Sequence, residues 1–224
     1  MRRIPAKLLS PFLRFFVKHY FKKPRSYRYK DLKIKVFPTV FFPHFTISTK
    51  LLLEFLETEK IENLNFLELG CGTGIISCFA AKKGANVVAS DINDKALENA
   101  LYNATKNNVK IQAMKSDLFT DLKKFEFDYI VINPPYYPKD PENDAEKAWF
   151  CGKDFAYFKN LFDQLSKQKI SQKKVVMILS EDCDIENIQN LALRHNISLV
   201  AIKEQKRHGE LNYIFQLISS NVPS

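Results

Sequence analysis

The chain has 224 residues, of which 46% are hydrophobic and 26% are charged. This composition excludes an intrinsically disordered protein, and the length suits one α/β domain with a short extension. Apolar runs stay below the roughly 18 residues of a membrane span, so stable membrane insertion is not expected. The four cysteines lack the close pairs of a zinc site, which predicts reduced thiols in a cytoplasmic protein without a metal centre.

The net charge of +9 is concentrated near the N-terminus. Residues 1–30 contain ten Lys or Arg and no acidic residue, whereas residues 31–224 contain 24 basic and 25 acidic residues. This asymmetry predicts a basic, helical extension over residues 1–30 and a nearly neutral main domain over residues 31–224.

The extension is predicted to contain one amphipathic helix. Ser10 and Pro11 suit a helix start, and Pro24 suits an end near Lys22. Aromatic residues occupy one side of this helix and basic residues another. Its role stays open between a helix packed on the main domain, an arm that contacts nucleic acid, and a membrane-surface or organellar targeting helix.

Apolar periodicity predicts the elements of the main domain, beginning with a short strand or hairpin over residues 31–45. The predicted strands that follow are 64–69, 85–90, 109–113, 127–132, 174–179, 197–202 and 211–218. The predicted helices are 46–60, 75–83, 94–107, 154–169 and 185–195. The polar segment 137–147 is predicted to be a lid or a substrate-facing segment, and the basic segment 203–210 to be a loop between the last two strands.

The first strand of the main domain runs directly into Gly70-Cys71-Gly72-Thr73-Gly74. Three of the six glycines in the chain fall within these five positions. They permit a tight strand-to-helix turn and close approach of a ligand to the backbone. Glu68 precedes the loop, where its carboxylate could pair with a cationic group of the ligand. The spacing differs from the G-x-G-x-x-G pattern of dinucleotide folds.

Polar side chains follow the next strands at their carboxyl ends. Asp91 lies 21 residues after the first loop glycine, an offset at which an acid hydrogen-bonds ribose hydroxyls. The alternative is a helix cap, because Ile92-Asn93-Asp94 opens a helix. Parallel strands end at one edge of a sheet, so Glu68, Asp91, Asp117 and Asn133 are expected along that edge.

Asn133-Pro134-Pro135-Tyr136 ends the fourth strand abruptly, because proline cannot donate to a sheet ladder. An Asn amide, proline carbonyls and a tyrosine ring suit a planar amide or exocyclic amine held in a slot. The two hydrogens of such an amine can be donated to the Asn oxygen and a proline carbonyl, which turns its nitrogen towards an electrophile. The alternative is a strand-ending turn capped by Asn133.

Four motifs in order resemble those of class I S-adenosylmethionine-dependent methyltransferases: Leu67-Glu68-Leu69-Gly70-Cys71-Gly72-Thr73-Gly74, Asp91-Ile92-Asn93, Asp117-Leu118 and Asn133-Pro134-Pro135-Tyr136. The last is similar to the amino-methyltransferase branch, which includes HemK-type release-factor glutamine methyltransferases and adenine-N6 and guanine-N2 methyltransferases. The resemblance implies a Rossmann-like, seven-stranded, doubly wound α/β sheet whose last strand is antiparallel. It also implies methylation of an RNA or DNA base or of a protein glutamine, with RNA and protein glutamine kept as the two candidate partners.

The resemblance implies a set of cofactor contacts. The glycine loop lies along the methionine part of S-adenosylmethionine with Glu68 near its amino group, Asp91 holds the ribose, and Asp117 and the Leu118 backbone read the adenine. Thr49-Lys50-Leu51-Leu52 resembles the segment upstream of the cofactor loop in HemK relatives. The implied cofactor-binding residues are Thr49, Glu68, Gly70, Cys71, Gly72, Gly74, Asp91, Ile92, Asp117, Leu118 and Asn133.

The implied catalytic residues are Asn133, Pro134, Pro135 and Tyr136, which orient and pack on the target nitrogen. The sulfonium methyl is already activated, so the protein needs to position the nitrogen and exclude water rather than supply a nucleophile or a metal. Two other classes stay open: an NAD(P)-dependent oxidoreductase on a similar sheet, and a binding module that kept the cofactor fold without activity.

Overall fold

The computed structural model describes residues 24–38, 40, 47–142, 146–168, 170–207 and 209–220. The helix predicted from Pro11 to Lys22 lies outside these residues. None of the helices in the described ranges is both long and apolar enough to cross a membrane.

One seven-stranded sheet organises the described part of the chain, in the order β5-β4-β3-β6-β7-β9-β8. Strands β3 to β7 pair in parallel, whereas β9 runs antiparallel to both of its neighbours. The predicted seven-stranded sheet with an antiparallel last strand is therefore confirmed. The strands are β3 Asn65–Leu69, β4 Asn86–Asp91, β5 Gln112–Lys115, β6 Tyr129–Ile132, β7 Lys174–Ser180, β8 Ile197–Arg207 and β9 Glu210–Ser219.

Helices cover both faces of this sheet, which explains why its central strands are apolar throughout rather than alternating. All four residues of β6 are buried. One hydrophobic cluster joins the sheet to α4 and α5, and a second joins it to α1, α2 and an N-terminal hairpin. The helices are α1 Ile47–Thr58, α2 Ile75–Lys82, α3 Asp94–Lys106, α4 Ala156–Ser166 and α5 Ile185–Leu193, with short 3-10 turns at Glu146–Ala148 and Ile170–Gln172.

The hairpin consists of β1 Arg25–Tyr29 and β2 Leu32–Val36, paired antiparallel. It begins earlier than the hairpin predicted within residues 31–45, so the proposed boundary at residue 30 falls in its turn. Residues 25–29, which the charge count assigned to a helical extension, form a strand. Exposed Ser26 and Arg28 alternate with Tyr27 and Tyr29, which point inwards, and that alternation is the pattern of a strand covered on one side.

Two other elements differ from their prediction. The loop predicted over 203–210 is wrong, because Lys203 to Arg207 continue β8 and pair with β9 up to Glu210. The basic side chains of this stretch belong to an edge strand, where charges are common. The strand predicted over 109–113, which is β5, begins at Gln112 instead of residue 109. The Val109 amide donates to the carbonyl of Ala104 and so closes the end of α3.

Candidate active site

The carboxyl ends of β3, β4, β5 and β6 open onto a cavity of about 420 Å³. All but one of the fourteen site residues expected from the sequence line this cavity, including the Asn-Pro-Pro-Tyr segment that follows β6. The exception is Gly74. Because these residues come from four strands and from α1, the sheet brings together groups that are far apart in the sequence.

The glycine loop is held by backbone hydrogen bonds at its start. The amides of Gly70 and Cys71 both donate to the carbonyl of Ser90, at 2.9 and 2.8 Å. Gly70 has a φ of +76°, and a Cβ added there would meet no atom within 4 Å. A side chain at Gly70 would therefore project into open space beside the cavity, where the backbone is left accessible to a ligand.

Gly74 has a packing role instead of a place on the cavity wall. Its φ is +69°, and an added Cβ would lie 2.6 Å from the Cβ of Ala100 on α3. Any larger residue would push the loop away from α3. The Gly74 contact with a cofactor that the sequence resemblance implies stays a prediction, and the geometry assigns this glycine to the support of the loop.

Glu68 is a buried carboxyl at the end of β3. Its Oε2 accepts hydrogen bonds from the Ser77 amide, at 2.7 Å, and from the Ser77 hydroxyl. Burial raises the pKa of Glu68 to about 8, against the lowering effect of the two Ser77 bonds and with a further contribution from the charge of Asp91. In the ligand-free protein this carboxyl is thus largely protonated at neutral pH, and a bound cation would favour its ionised form.

Asp91 spans the turn between β4 and α3. Its Oδ2 accepts from the Gly72 amide and its Oδ1 from the Asn93 amide, each at 2.9 Å. Burial raises its pKa, although three backbone hydrogen bonds oppose that change. The cap of α3 is Asn93, whose side chain accepts from the Lys95 amide. Asp91 is therefore not the cap of this helix, which was its alternative role. Its carboxylate lies on the cavity wall.

The segment after β5 has a constrained backbone. Leu118 has a φ of +53°, a conformation that costs a non-glycine residue on the order of 1 kcal/mol. The Ser116 hydroxyl stabilises it by donating to the Leu118 carbonyl at 2.7 Å and accepting from the Asp121 amide at 3.1 Å. Leu118 and Asp117 both line the cavity. Their adenine-binding role stays a prediction.

The Asn-Pro-Pro-Tyr segment begins one residue after β6 ends at Ile132. The side-chain amide of Asn133 donates to the hydroxyl oxygen of Thr49 at 3.3 Å. This contact engages the Nδ2 of Asn133, a residue that lines the cavity, and leaves its Oδ1 as an acceptor. The rings of Tyr136 and Tyr137 pack with centroids 4.9 Å apart, and burial raises the pKa of Tyr136, so its hydroxyl stays neutral at physiological pH.

Tyr137, at the start of the segment predicted to be a lid or a substrate-facing segment, pairs with Phe150, just beyond the end of that segment, at the side of the cavity. Tyr137 and Phe150 form a parallel bridge, in which the Tyr137 amide donates to the Trp149 carbonyl at 3.1 Å and the Cys151 amide donates to the Tyr137 carbonyl at 3.0 Å. The amine of Lys139 lies 4.8 Å from the centroid of the Phe150 ring. Both ends of the segment therefore form part of the wall next to Tyr136.

Other residues of the cavity wall were not anticipated from the sequence, among them Tyr157 and Ser48. Tyr157, in the first turn of α4, has its pKa raised by burial and by the negative charges of Asp91 and Asp117. Ser48, in the first turn of α1, is 6% exposed, and its hydroxyl has no hydrogen-bond partner within the described residues. Buried hydroxyls are normally paired, so the Ser48 hydroxyl is an exception among the residues that line the cavity.

The fold and this cavity define a Rossmann-like enzyme that binds its ligand at the carboxyl edge of a doubly wound sheet. The model of the small methyltransferase domain family matches residues 31–150, more than half of the chain. The chain belongs to this family. That membership favours a methyltransferase over the nicotinamide oxidoreductase that the sheet alone left open.

Individual relatives agree with the family. A protein named as an N5-glutamine methyltransferase from Methanocaldococcus jannaschii is 40% identical over 130 residues, covering 56% of this chain and 64% of the relative. Ribosomal RNA small subunit methyltransferase C from Haemophilus influenzae is 32% identical over 126 residues, covering 55% of this chain and 37% of the relative. The chain thus spans less than two thirds of the length of these relatives.

A crystal structure of a methyltransferase from Pyrococcus furiosus has a similar fold, with a TM-score of 0.64 and 19% identity over 94% of this chain and 98% of the other.

The residues of the cavity fit S-adenosylmethionine. Two carboxyl groups, Glu68 and Asp91, suit an ammonium group and ribose hydroxyls, Ser48 offers an unpaired hydroxyl, and Gly70 leaves room beside the backbone. Within the described ranges, no group of three or more His, Cys, Asp or Glu is arranged to hold a metal ion.

Proposed function

We propose that this chain transfers the methyl group of S-adenosylmethionine to the nitrogen of a planar amide, and that the target is a glutamine side chain in a protein. The observation that carries the proposal is the orientation of Asn133 by Thr49. Because the Asn133 Nδ2 donates to this hydroxyl, its Oδ1 would be the atom offered as an acceptor to a group bound in the cavity. That oxygen can take one hydrogen of a target NH₂ and so align the nitrogen.

The cofactor would supply an activated methyl group on a sulfonium. The residues of the chain would hold the cofactor and the target nitrogen in position. Glu68 and Asp91 would hold the two ends of the cofactor, Asn133 would hold the target nitrogen, and the Tyr136–Tyr137 pair would cover the plane of the amide. Fixing both reactants in line removes much of the entropic part of the barrier, and the folded segment beside Tyr137 would exclude water.

The glutamine substrate is supported by the relative from M. jannaschii and by the nearly balanced charge of residues 31–224. An exocyclic amine of an RNA base is the second candidate. It is favoured by the ten basic residues within residues 1–30 and by the ribosomal RNA methyltransferase among the relatives. A cytoplasmic location is proposed with either substrate, because the four cysteines are free thiols.

Labelled S-adenosylmethionine and a cell lysate test the proposal directly. Label that is lost to protease and retained after RNase, with a methyl increment on glutamine in peptide mass spectra, is the expected result. Label lost only to RNase would show that the substrate is an RNA base and not a protein glutamine. Absence of transfer, despite measurable binding of S-adenosylhomocysteine, would support the binding module without activity.

The Asn133→Ala variant tests the proposed role of the Asn133 side chain in holding the substrate. It should abolish transfer and leave the affinity for S-adenosylhomocysteine within a few fold, because the amide is proposed to hold the substrate more than the cofactor. An Asn133→Ala protein that methylates at the wild-type rate would refute the proposal that Asn133 holds the target nitrogen.

A further inference from the structure

Three asparagines occur four residues apart along α3 and its C-cap: Asn99 and Asn103 in the helix, and Asn107 at the cap. Residues at this spacing lie on one face of a helix. This face is turned towards β2 of the hairpin, and the side chains of Asn99 and Asn103 are fully buried. Asparagine is an unusual residue for a helix interior, because its side chain competes for backbone hydrogen bonds. The repetition of asparagine on this face therefore indicates that these side chains have specific hydrogen-bond partners.

The partner is the backbone of β2. The amides of Phe37, Lys35 and Lys33 donate to Oδ1 of Asn99, Asn103 and Asn107, respectively, each at 2.8 Å. In return, Asn99 and Asn103 donate to the Lys35 carbonyl at 2.7 and 2.9 Å, and Asn107 donates to the Lys33 carbonyl at 3.0 Å.

The spacings of the two elements match. Four helical residues rise about 6 Å, and two strand residues rise about 6.6 Å, so each asparagine meets the next outward-facing backbone pair of β2. The asparagine ladder of α3 thereby takes the place of a neighbouring strand at the free edge of the hairpin.

One rung of this ladder has a further contact. Asn103 also donates to the carbonyl of Thr73 at 3.0 Å. Thr73 belongs to the glycine loop, is buried, and lines the cavity. The two hydrogens of the Asn103 amide are thus divided between the hairpin and the glycine loop, and its Oδ1 is fixed by the Lys35 amide. Asn99 shares the burial and the Lys35 contact and has no such bond to the loop among the described contacts.

We propose that Asn103 is a positioning residue that couples the hairpin to the cofactor loop. The hairpin fixes the plane of the Asn103 amide, and that amide fixes the carbonyl of Thr73 and with it the direction of the loop backbone. By linkage, a cofactor that orders the loop must also stabilise the docking of the hairpin, and to the same extent. This coupling rests on the proposed use of the cavity for S-adenosylmethionine.

Asn103→Ala and Asn99→Ala form a matched pair for the test. Each removes a fully buried amide and one acceptor for a β2 amide, and each leaves one donor on the Lys35 carbonyl. The thermal midpoints of both variants should therefore fall, and that of Asn103→Ala somewhat further, because it also leaves the Thr73 carbonyl without this donor. Asn103→Ala alone should raise the Kd of S-adenosylhomocysteine, by about tenfold, since it alone removes the bond to the loop. It should raise KM for S-adenosylmethionine with little change in kcat. Equal Kd values for the two variants would overturn the proposal.

Hydrogen exchange on the wild-type protein tests the coupling without a variant. Saturating S-adenosylhomocysteine should slow exchange of the Lys33, Lys35 and Phe37 amides as well as that of the loop amides. Protection of the loop without any protection of these three amides would also overturn the proposal. If S-adenosylhomocysteine does not bind at all, the proposed function fails instead, so the two failures are distinguishable.

Discussion

The amide of Asn133 and the hydroxyl of Thr49 are hydrogen-bonded at 3.3 Å although they lie 84 residues apart. Thr49 lies in the first turn of α1 and Asn133 directly after β6, so the contact joins the helix that precedes the sheet to the strand that ends in the Asn-Pro-Pro-Tyr segment. Thr49 was expected from the sequence to contact the cofactor. The structure adds that it orients the residue proposed to hold the substrate.

Thr49→Val should slow methyl transfer by about tenfold, because the loss of one hydrogen bond frees the Asn133 amide to rotate. Thr49→Ser keeps the hydroxyl and should transfer near the wild-type rate. Single-turnover rates at saturating S-adenosylmethionine measure the effect apart from binding. A valine variant as fast as the serine variant would show that Asn133 needs no support from α1.

Glu68 gives the ligand-free protein a pH-dependent stability. Its pKa of about 8 in the folded protein lies above its ordinary value of 4.5, so the folded state holds the proton more tightly than the unfolded state. The associated stability is complete below pH 4.5 and is lost as the pH rises through 8, by about 1.4 kcal/mol for each pH unit in between. Denaturant midpoints at pH 6 and pH 9 should therefore differ more for the wild type than for Glu68→Gln. Equal pH dependence in both proteins would contradict the assignment.

The positions of Glu68, Asp91 and Asn133 could be predicted because each lies at or directly after the carboxyl end of an apolar strand. Parallel strands end at one edge, so the order of the motifs in the sequence is enough to place these side chains around a common cavity. No knowledge of the helix packing is needed for this step. The same reasoning reached Leu118, whose strained backbone is nevertheless a finding of the structure.

Some of the cavity residues that were missed come from helix starts. Ser48 and Tyr157 lie in the first turns of α1 and α4, and whether such residues face a cavity depends on how each helix packs on the sheet. Periodicity along the sequence carries no information about that rotation. The asparagines of α3 were missed for a related reason, since their partners are backbone groups of β2 and leave no trace in side-chain patterns.

Lys83 provides a test of local stability away from the cavity. Its amine donates to the carbonyls of Leu56, Glu57 and Glu59 at 2.7–2.8 Å, and so satisfies the end of α1, where carbonyls have no partner within the helix. Lys83→Met should lower the free energy of unfolding by about 1–3 kcal/mol. The neighbouring Lys82, which pairs with Asp31 at the surface, serves as the control, and Lys82→Met should have little effect. Denaturant titration of both variants checks the difference, and equal midpoints would contradict it.

Ser48→Ala should change stability and affinity in opposite directions. In the ligand-free protein the Ser48 hydroxyl is buried and has no partner in the described part of the chain, so its removal should leave the free energy of unfolding unchanged or raise it by up to about 1 kcal/mol. If a polar group of S-adenosylmethionine pairs with this hydroxyl, the same change should weaken S-adenosylhomocysteine binding by about five- to tenfold. Thermal midpoints without ligand and calorimetric titrations with it measure the two effects separately. A variant that loses stability and keeps its affinity would show that the hydroxyl supports α1 rather than the ligand.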